Sequence, residues 1–187
     1  MNLLTILAAL SLGAMAHEPG AEVKYRGFLV RQVRFYWGAE QEVSTFAAQI
    51  KQESGWDPSA RSAYAAGLAQ FTPPTAQWLS SLHPEIDGQS PFSASSPYDW
   101  KWSIRALVCY DRHLHEKLAD AGEQRWRLTL RAYNGGIGWV LKEKTACQQM
   151  DEPCCRKFRA PSSCRENISY PVMILHRWKP LYERWDR

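Results

Sequence analysis

The sequence predicts a mainly α, single-domain protein. Three observations carry that reading. Apolar residues recur at the helical 3.6-residue period in several windows, no stretch alternates apolar and polar residues as a half-buried strand does, and no low-complexity linker divides the chain. At 187 residues the length suits one domain with a sizeable core, and the 45% apolar and 22% charged content is that of globular proteins. The net charge of +4 gives no argument for nucleic-acid binding, although it suits loose attraction to an anionic surface.

The elements follow in order. MNLLTILAALSLGAMA has no charged side chain, an apolar run over residues 3–12, and a small-x-small end at Ala14-Met15-Ala16. This is the pattern of a signal peptide over 1–16, cleaved before His17, which leaves 17–187 as the mature domain and predicts export to the periplasm or cell envelope. The run is short for a membrane span, so no stable span is expected; an uncleaved leader acting as a weak anchor is the alternative.

A short helix is expected over residues 24–38, then a longer one over 39–54 with Val43, Phe46, Ala47 and Ile50 on one buried face. Gly55 and Pro58 stop it. Residues 57–75 read as a structured loop, 75–82 as a short helix and 83–97 as a second loop. The next helix, 98–121, has Ile104, Leu107, Val108, Leu114 and Leu118 as its core face, with Cys109 on the far side. EQRWRLTLRAYNGG gives a helix broken at Gly135-Gly136 and restarting over 137–144. Residues 147–164 read as a Cys-rich insertion, and a final helix is expected over 168–184 with Pro171 in its first turn.

Four of the five cysteines, Cys147, Cys154, Cys155 and Cys164, crowd into the insertion. Their spacing does not match structural zinc sites, and an exported chain favours disulfides, so at least one bridge within 147–164 is expected. The odd cysteine stays free or pairs outside the chain; connectivity is not legible. Nine tryptophans allow stacking on sugars or flat partners, although such rings more often fill cores.

Glu53 stands out. In STFAAQIKQESGW it follows Ile50 by three residues and Ala47 by six, so it continues the buried stripe. Burial and the negative end of the helix dipole both oppose ionisation, which suits a general acid working near neutral pH. The plainer reading is a helix-end glutamate turned outward into water. His113-Leu114-His115-Glu116 puts its histidines on different helix faces, a poor metal site, so no metal or cofactor is expected. His83 and His176 have no partners in the sequence, and Asp111 falls on the core face of its helix.

The segment ESGWDPSARSAYAAGLAQF resembles the active-site region of soluble lytic transglycosylases and goose-type lysozymes. The matching parts are Glu53-Ser54, Ser62 nine residues on, and Gly67-Leu68-Ala69-Gln70. RAYNGG, residues 131–136, is similar to the family's Ala-Tyr-Asn-x-Gly motif, and Glu166-x3-Tyr170 resembles the element that closes the same cleft. The resemblance runs from about residue 39 to 181.

It implies a single lysozyme-like helical domain with the Cys-rich insertion added. It implies cleavage of the β-1,4 bond between N-acetylmuramic acid and N-acetylglucosamine of peptidoglycan glycan strands, with a 1,6-anhydro product. By the same resemblance Glu53 is the catalytic acid and base, Ser62 helps place the substrate acetamido group, and Tyr170 orients Glu53. Gln70, Tyr133 and Asn134 would bind substrate; read from the residues alone, Gln70 suits a solvated loop and Asn134 a helix C-cap. The family commonly has Met where Ala69 stands, which implies a roomier wall to the sugar site. Alternatives are a goose-type hydrolase, in which water replaces the C6 hydroxyl, and a silent peptidoglycan-binding protein. The insertion is expected either to staple a loop near the cleft or to dock an envelope protein.

Overall fold

The computed structural model describes Gly20 and residues 22–187, so the expected leader over 1–16 lies outside the described residues. Among the described residues eight α-helices follow one another: α1 (Val23–Trp37), α2 (Ser44–Ser54), α3 (Pro73–Leu82), α4 (Trp100–Lys117), α5 (Arg125–Gly135), α6 (Ile137–Ala146), α7 (Glu152–Cys155) and α8 (Pro161–Val172). Beyond α8 the chain continues as a π-helical segment, Met173–Trp178, and tight 3-10 turns. Among the described residues there are no strands, only two isolated bridges, Arg61 to Ala66 and Ala66 to Phe71. The mainly α reading holds.

Helix α2 is the centre of the molecule. Its expected apolar face is buried, but so is every residue from Ser44 to Ile50, at 0–2% exposure. Ser44, Ala47 and Ala48 are small enough to let neighbours approach, and α2 is enclosed by the π-helical segment and the two 3-10 turns beyond it. Burying Phe46 and Ile50 contributes about 1.5–3 kcal/mol each. The helix starts five residues later than expected. Its N-terminal cap comes from far away, with the Ser44 amide donating to Asp186 Oδ1 at 2.8 Å. Gly55 ends it in the left-handed conformation (φ 62°), and buried Trp56 (φ 74°) turns the chain away.

Helix α4 packs on α1 and α5, and α5 packs on α6 and α8. Its predicted face is buried, and Cys109 is buried too, at 3% exposure, beside Tyr36 of α1. A second, smaller cluster of Leu114, Leu118, Leu128, Ala132 and Val140 fills the space between α4, α5 and α6. Most tryptophans serve the core. Trp56, Trp102 and Trp185 are buried, and Trp37, Trp100, Trp126 and Trp178 pack against it.

The last helix departs from expectation. Helix α8 starts at Pro161 rather than residue 168, so Pro171 lies near its end. Pro161 at the first helical turn, after extended Ala160, is the start signal. Pro171 lacks the N–H of the next rung, and the chain widens into the π-helical segment directly after it.

The insertion is a double staple. Disulfides join Cys147 to Cys154 and Cys155 to Cys164, tying the end of α6 to α7 and α7 to α8, while Cys109 stays free. Beneath it, Arg131 of α5 and Glu143 of α6 form an ion pair at 2.6 Å, both fully buried. Arg131 also donates from Nη1 to the Met150 carbonyl at 3.2 Å and from Nε to Asn167 Oδ1 at 3.0 Å. Removing one partner of such a pair costs about 3–5 kcal/mol.

Candidate active site

Glu53 ends α2 at the floor of a cleft of about 720 Å³. Its surroundings come from three directions. The loop after α2 brings Ser62, Tyr64 and Gln70; α4 and α5 bring Tyr110, Tyr133 and Asn134; α8 and its continuation bring Glu166, Ser169, Tyr170 and Met173. All six residues expected from the sequence therefore line one cavity, whose aromatic surface is four tyrosines and Phe71 rather than tryptophans.

Tyr170 Oη donates a hydrogen bond to Glu53 Oε1. Burial is the main influence on Glu53 and raises its pKa to about 8 from the ordinary 4.5. The Tyr170 hydrogen bond opposes that rise by favouring the anion, and the nearby Glu166 charge adds to it. The carboxyl group is open only to the cleft. It is thus mainly protonated at neutral pH, and its conjugate base has a phenol to support it.

Behind the acid lies a polar pair that the sequence only half disclosed. Gln49, one turn before Glu53, donates to Asp111 Oδ1 at 3.4 Å, and both are fully buried. Burial raises the Asp111 pKa well above the carboxylate range, more than the Gln49 hydrogen bond lowers it. A neutral Asp111 spares the cleft floor a second negative charge, and its proton gives the pair a donor.

The other expected residues divide by what their polar atoms already do. Ser62 Oγ accepts from the backbone amides of Tyr64 (3.2 Å) and Ala65 (3.0 Å), so its hydroxyl organises the loop while lining the cleft. Gln70 Nε2 donates to the carbonyls of Ala60 (3.2 Å) and Gly67 (2.9 Å), which leaves its carbonyl oxygen as the group able to accept from a ligand. Tyr133 Oη donates to the Ala69 carbonyl at 2.7 Å. Ala69 itself is fully buried, and its side chain does not line the cleft. Ser54 Oγ only bonds back to the Ile50 carbonyl at 3.4 Å.

Asn134 joins the cleft to the stapled region. Its Nδ2 donates to Glu166 Oε1 at 3.1 Å, and its Oδ1 accepts from Asn167 Nδ2 at 3.0 Å. Asn167 is fully buried and also donates to the Arg131 carbonyl at 2.8 Å. Gly135 is required here, because a Cβ at that position would lie 2.5 Å from Asn167 Nδ2 and 2.4 Å from Arg159 Nη1. Sequence reasoning missed Asn167 and Arg131 as supports of the site. Their positions next to Glu166 and within RAYNGG were the available signal.

His83 does have partners. Its Nδ1 lies 3.2 Å from Glu85 Oε1, and the donor atoms of His83, Glu85 and Cys109 lie within 4.8 Å of one another. Arg112 lines the same small pocket, so a cation already stands beside this group.

Comparison with known proteins agrees with this fold. The fold matches that of the 70 kDa soluble lytic transglycosylase SLT70 from Escherichia coli, with a TM-score of 0.58, 21% identity and 84% of this chain covered. The chain spans only 24% of that protein's length. None of the curated proteins matches it in sequence. The sequence profile of the family described as Transglycosylase SLT domain matches residues 36–152, more than half of the chain, and includes Glu53, Ser62, Gln70, Tyr133 and Asn134 but stops before Glu166 and Tyr170. With a cleft built around Glu53 and that match, the chain belongs to the transglycosylase SLT domain family.

Proposed function

We propose that the protein is a peptidoglycan lytic transglycosylase that cleaves the β-1,4 bond between N-acetylmuramic acid and N-acetylglucosamine. The observation that carries this reading is Glu53, a carboxyl group held protonated to about pH 8 at the floor of the cleft and gripped by Tyr170. Such a group can protonate a glycosidic oxygen, a poor leaving group, without help from solvent acid. The substrate's own 2-acetamido oxygen then attacks the anomeric carbon as the bond breaks. Glu53, now the anion, takes the proton of the C6 hydroxyl, and that oxygen closes a 1,6-anhydro ring. Each half of the cycle restores the state the other needs.

The remaining cleft groups fit binding roles. The Gln70 carbonyl oxygen accepts from an acetamido N–H or a hydroxyl, Tyr133 and Asn134 shape the wall, and Ser62 holds the loop that faces the acetamido group. Glu166, the other acid in the cleft, accepts from Asn134 and so serves the wall rather than the reaction.

We also infer export, with residues 1–16 as leader and 17–187 as the domain. The leader pattern and the two disulfides support it. Mass spectrometry of digested peptidoglycan tests the reaction. Products with 1,6-anhydro ends are expected and are lost with Glu53→Gln; reducing ends would assign the protein to the hydrolases instead.

A further inference from the structure

Between α4 and the turn that follows α3 lies a small pocket of about 210 Å³, and none of its described lining residues belongs to the cleft. Cys109, Arg112, His113 and Glu116 fall at i, i+3, i+4 and i+7 of α4, one face of the helix. His113 thus shares a face with Cys109, one turn earlier, and not with His115. His83, at the end of α3, and Glu85, in the 3-10 turn Pro84–Asp87, line the same pocket. A ring nitrogen of His83, a carboxylate oxygen of Glu85 and Cys109 Sγ all lie within 4.8 Å of one another.

His83 Nδ1 lies 3.2 Å from Glu85 Oε1. A carboxylate can only accept, so Nδ1 carries the proton and Nε2 of the neutral ring keeps its lone pair. Nε2 is buried and, among the described residues, has no hydrogen-bond partner. One ring nitrogen on a carboxylate, with the other left for a ligand, is how metal-binding histidines are oriented. Cys109 is a free thiol, 3% exposed. The turn is pinned to α4, because Trp102 Nε1 donates to Asp87 Oδ1 at 2.8 Å and Arg105 Nε donates to the Ile86 carbonyl. Trp78 packs edge-on against His113, with ring centroids 5.3 Å apart. Arg112, the cation of the pocket, is committed elsewhere: Nε donates to Glu116 Oε1 at 2.8 Å and Nη1 to the Tyr36 carbonyl at 2.7 Å.

We infer that this pocket binds a divalent metal ion of the zinc type, with Cys109, His83 and His113 as ligands and Glu85 as the carboxylate partner of His83. Sulfur and imidazole donors suit zinc, whereas calcium and magnesium take oxygen. Ligands bonded at about 2.0–2.3 Å stand roughly 3.3–3.8 Å apart in a tetrahedron, so roughly 1 Å of side-chain movement closes the cluster on an ion. The His83 and His113 rings, with centroids 6.2 Å apart, are near enough to share it. As the ion binds, the Cys109 S–H proton leaves to water and the sulfur takes Zn²⁺ in its place. The thiolate, Glu85 and Glu116 then set three negative charges against Arg112 and the dication, which leaves the pocket neutral. The ion clamps the turn after α3 to α4, and the inference stands apart from the proposed reaction.

The test uses the full chain with its disulfides intact, stripped of metal by a chelator and then given zinc chloride or cobalt(II) chloride. One zinc per chain is expected by elemental analysis after gel filtration. Cobalt(II) should give a near-ultraviolet thiolate charge-transfer band, which Cys109 alone can supply while the other four cysteines are bridged. Cys109→Ser should abolish that band. His83→Ala, His113→Ala and Cys109→Ser should each weaken zinc binding at least about 100-fold, and Glu85→Gln about ten-fold. Should buried Cys109→Ser fail to fold, His83→Ala and His113→Ala, which are partly exposed, decide the matter. Zinc should also raise the Tm of the wild type and leave that of His83→Ala in place. The exposed His176→Ala serves as the unchanged control. Protein that leaves gel filtration without zinc overturns the inference, and so does binding that survives His83→Ala or His113→Ala. A cobalt band seen only after reduction also overturns it, because that assigns the metal to the cysteines of the insertion. None of these readouts involves glycan cleavage, so failure here and failure of the proposed reaction are told apart.

Discussion

Replacing Glu53 with Gln should stabilise the protein while abolishing its proposed chemistry. The folded chain raises the Glu53 pKa from 4.5 to about 8, so between those values it keeps a proton that the unfolded chain gives up. Folding stability therefore falls as pH rises across that window. At about 1.4 kcal/mol per pH unit, the accumulated loss at pH 7 is roughly 3 kcal/mol. Water in the cleft screens the carboxylate, and halving the figure leaves roughly 1.5 kcal/mol. Glutamine is neutral at every pH and presents an oxygen to Tyr170, so it escapes this cost. For a domain of this length the gain corresponds to a Tm about 3–6 °C higher at pH 7. Parallel thermal melts of wild type and Glu53→Gln at pH 5, 7 and 9 provide the assay. The gap should be small at pH 5 and widen with pH. A gap that stays constant, or a variant less stable than wild type at pH 9, would falsify the claim that burial holds this proton.

Tyr170→Phe removes the hydrogen bond that favours the Glu53 anion, a contact to a charged group worth about 1.5 kcal/mol. The alkaline limb of the kcat/KM profile, set near pH 8 by Glu53, should move up by about one pH unit while kcat falls; a limb that stays in place refutes the assigned contact. Asn167→Ala leaves Arg131 Nε and Asn134 Oδ1 without their partners, so a stability loss of about 2–4 kcal/mol is expected in denaturant titration, with a higher KM for wall substrate. Denatured but unreduced protein should expose a single alkylatable thiol, Cys109, and all five cysteines after reduction, as read by intact mass. Reduction opens two short covalent loops and should lower stability by about 2–3 kcal/mol per bridge.

The parts of the site that were legible in the sequence are those set by local chemistry. Glu53 is readable because Ile50, Ala47 and Gly55 define a buried stripe and its end within one helix, and Gly135-Gly136 marks the break beside Asn134 in the same way. What escaped depends on residues far apart in the chain. The late start of α2 follows from a cap that Asp186 supplies across the molecule. Ser44 to Ile50 gave an amphipathic pattern, yet the tail encloses the polar side as well, which no period reveals. The start of α8 was hidden by the cysteines around it, which drew the reading toward a loop although Pro161 is a good first-turn residue. Arg131, Glu143 and Asn167 look like ordinary surface residues until α5, α6 and α8 bring them together.

The cap on α2 has a consequence for how the acid is assembled. The helix that bears Glu53 lies near the start of the domain, but its Ser44 amide is capped by Asp186, and Trp56 Nε1 donates to Tyr182 Oη at 2.8 Å. These contacts span more than a hundred residues and close wide loops of the chain. Until Tyr182 and Asp186 are in place, Glu53 stands on a helix without its cap and beside a Trp56 without its partner. The carboxyl group proposed to act on the glycan strand is therefore coupled to docking of the tail through residues 182 and 186.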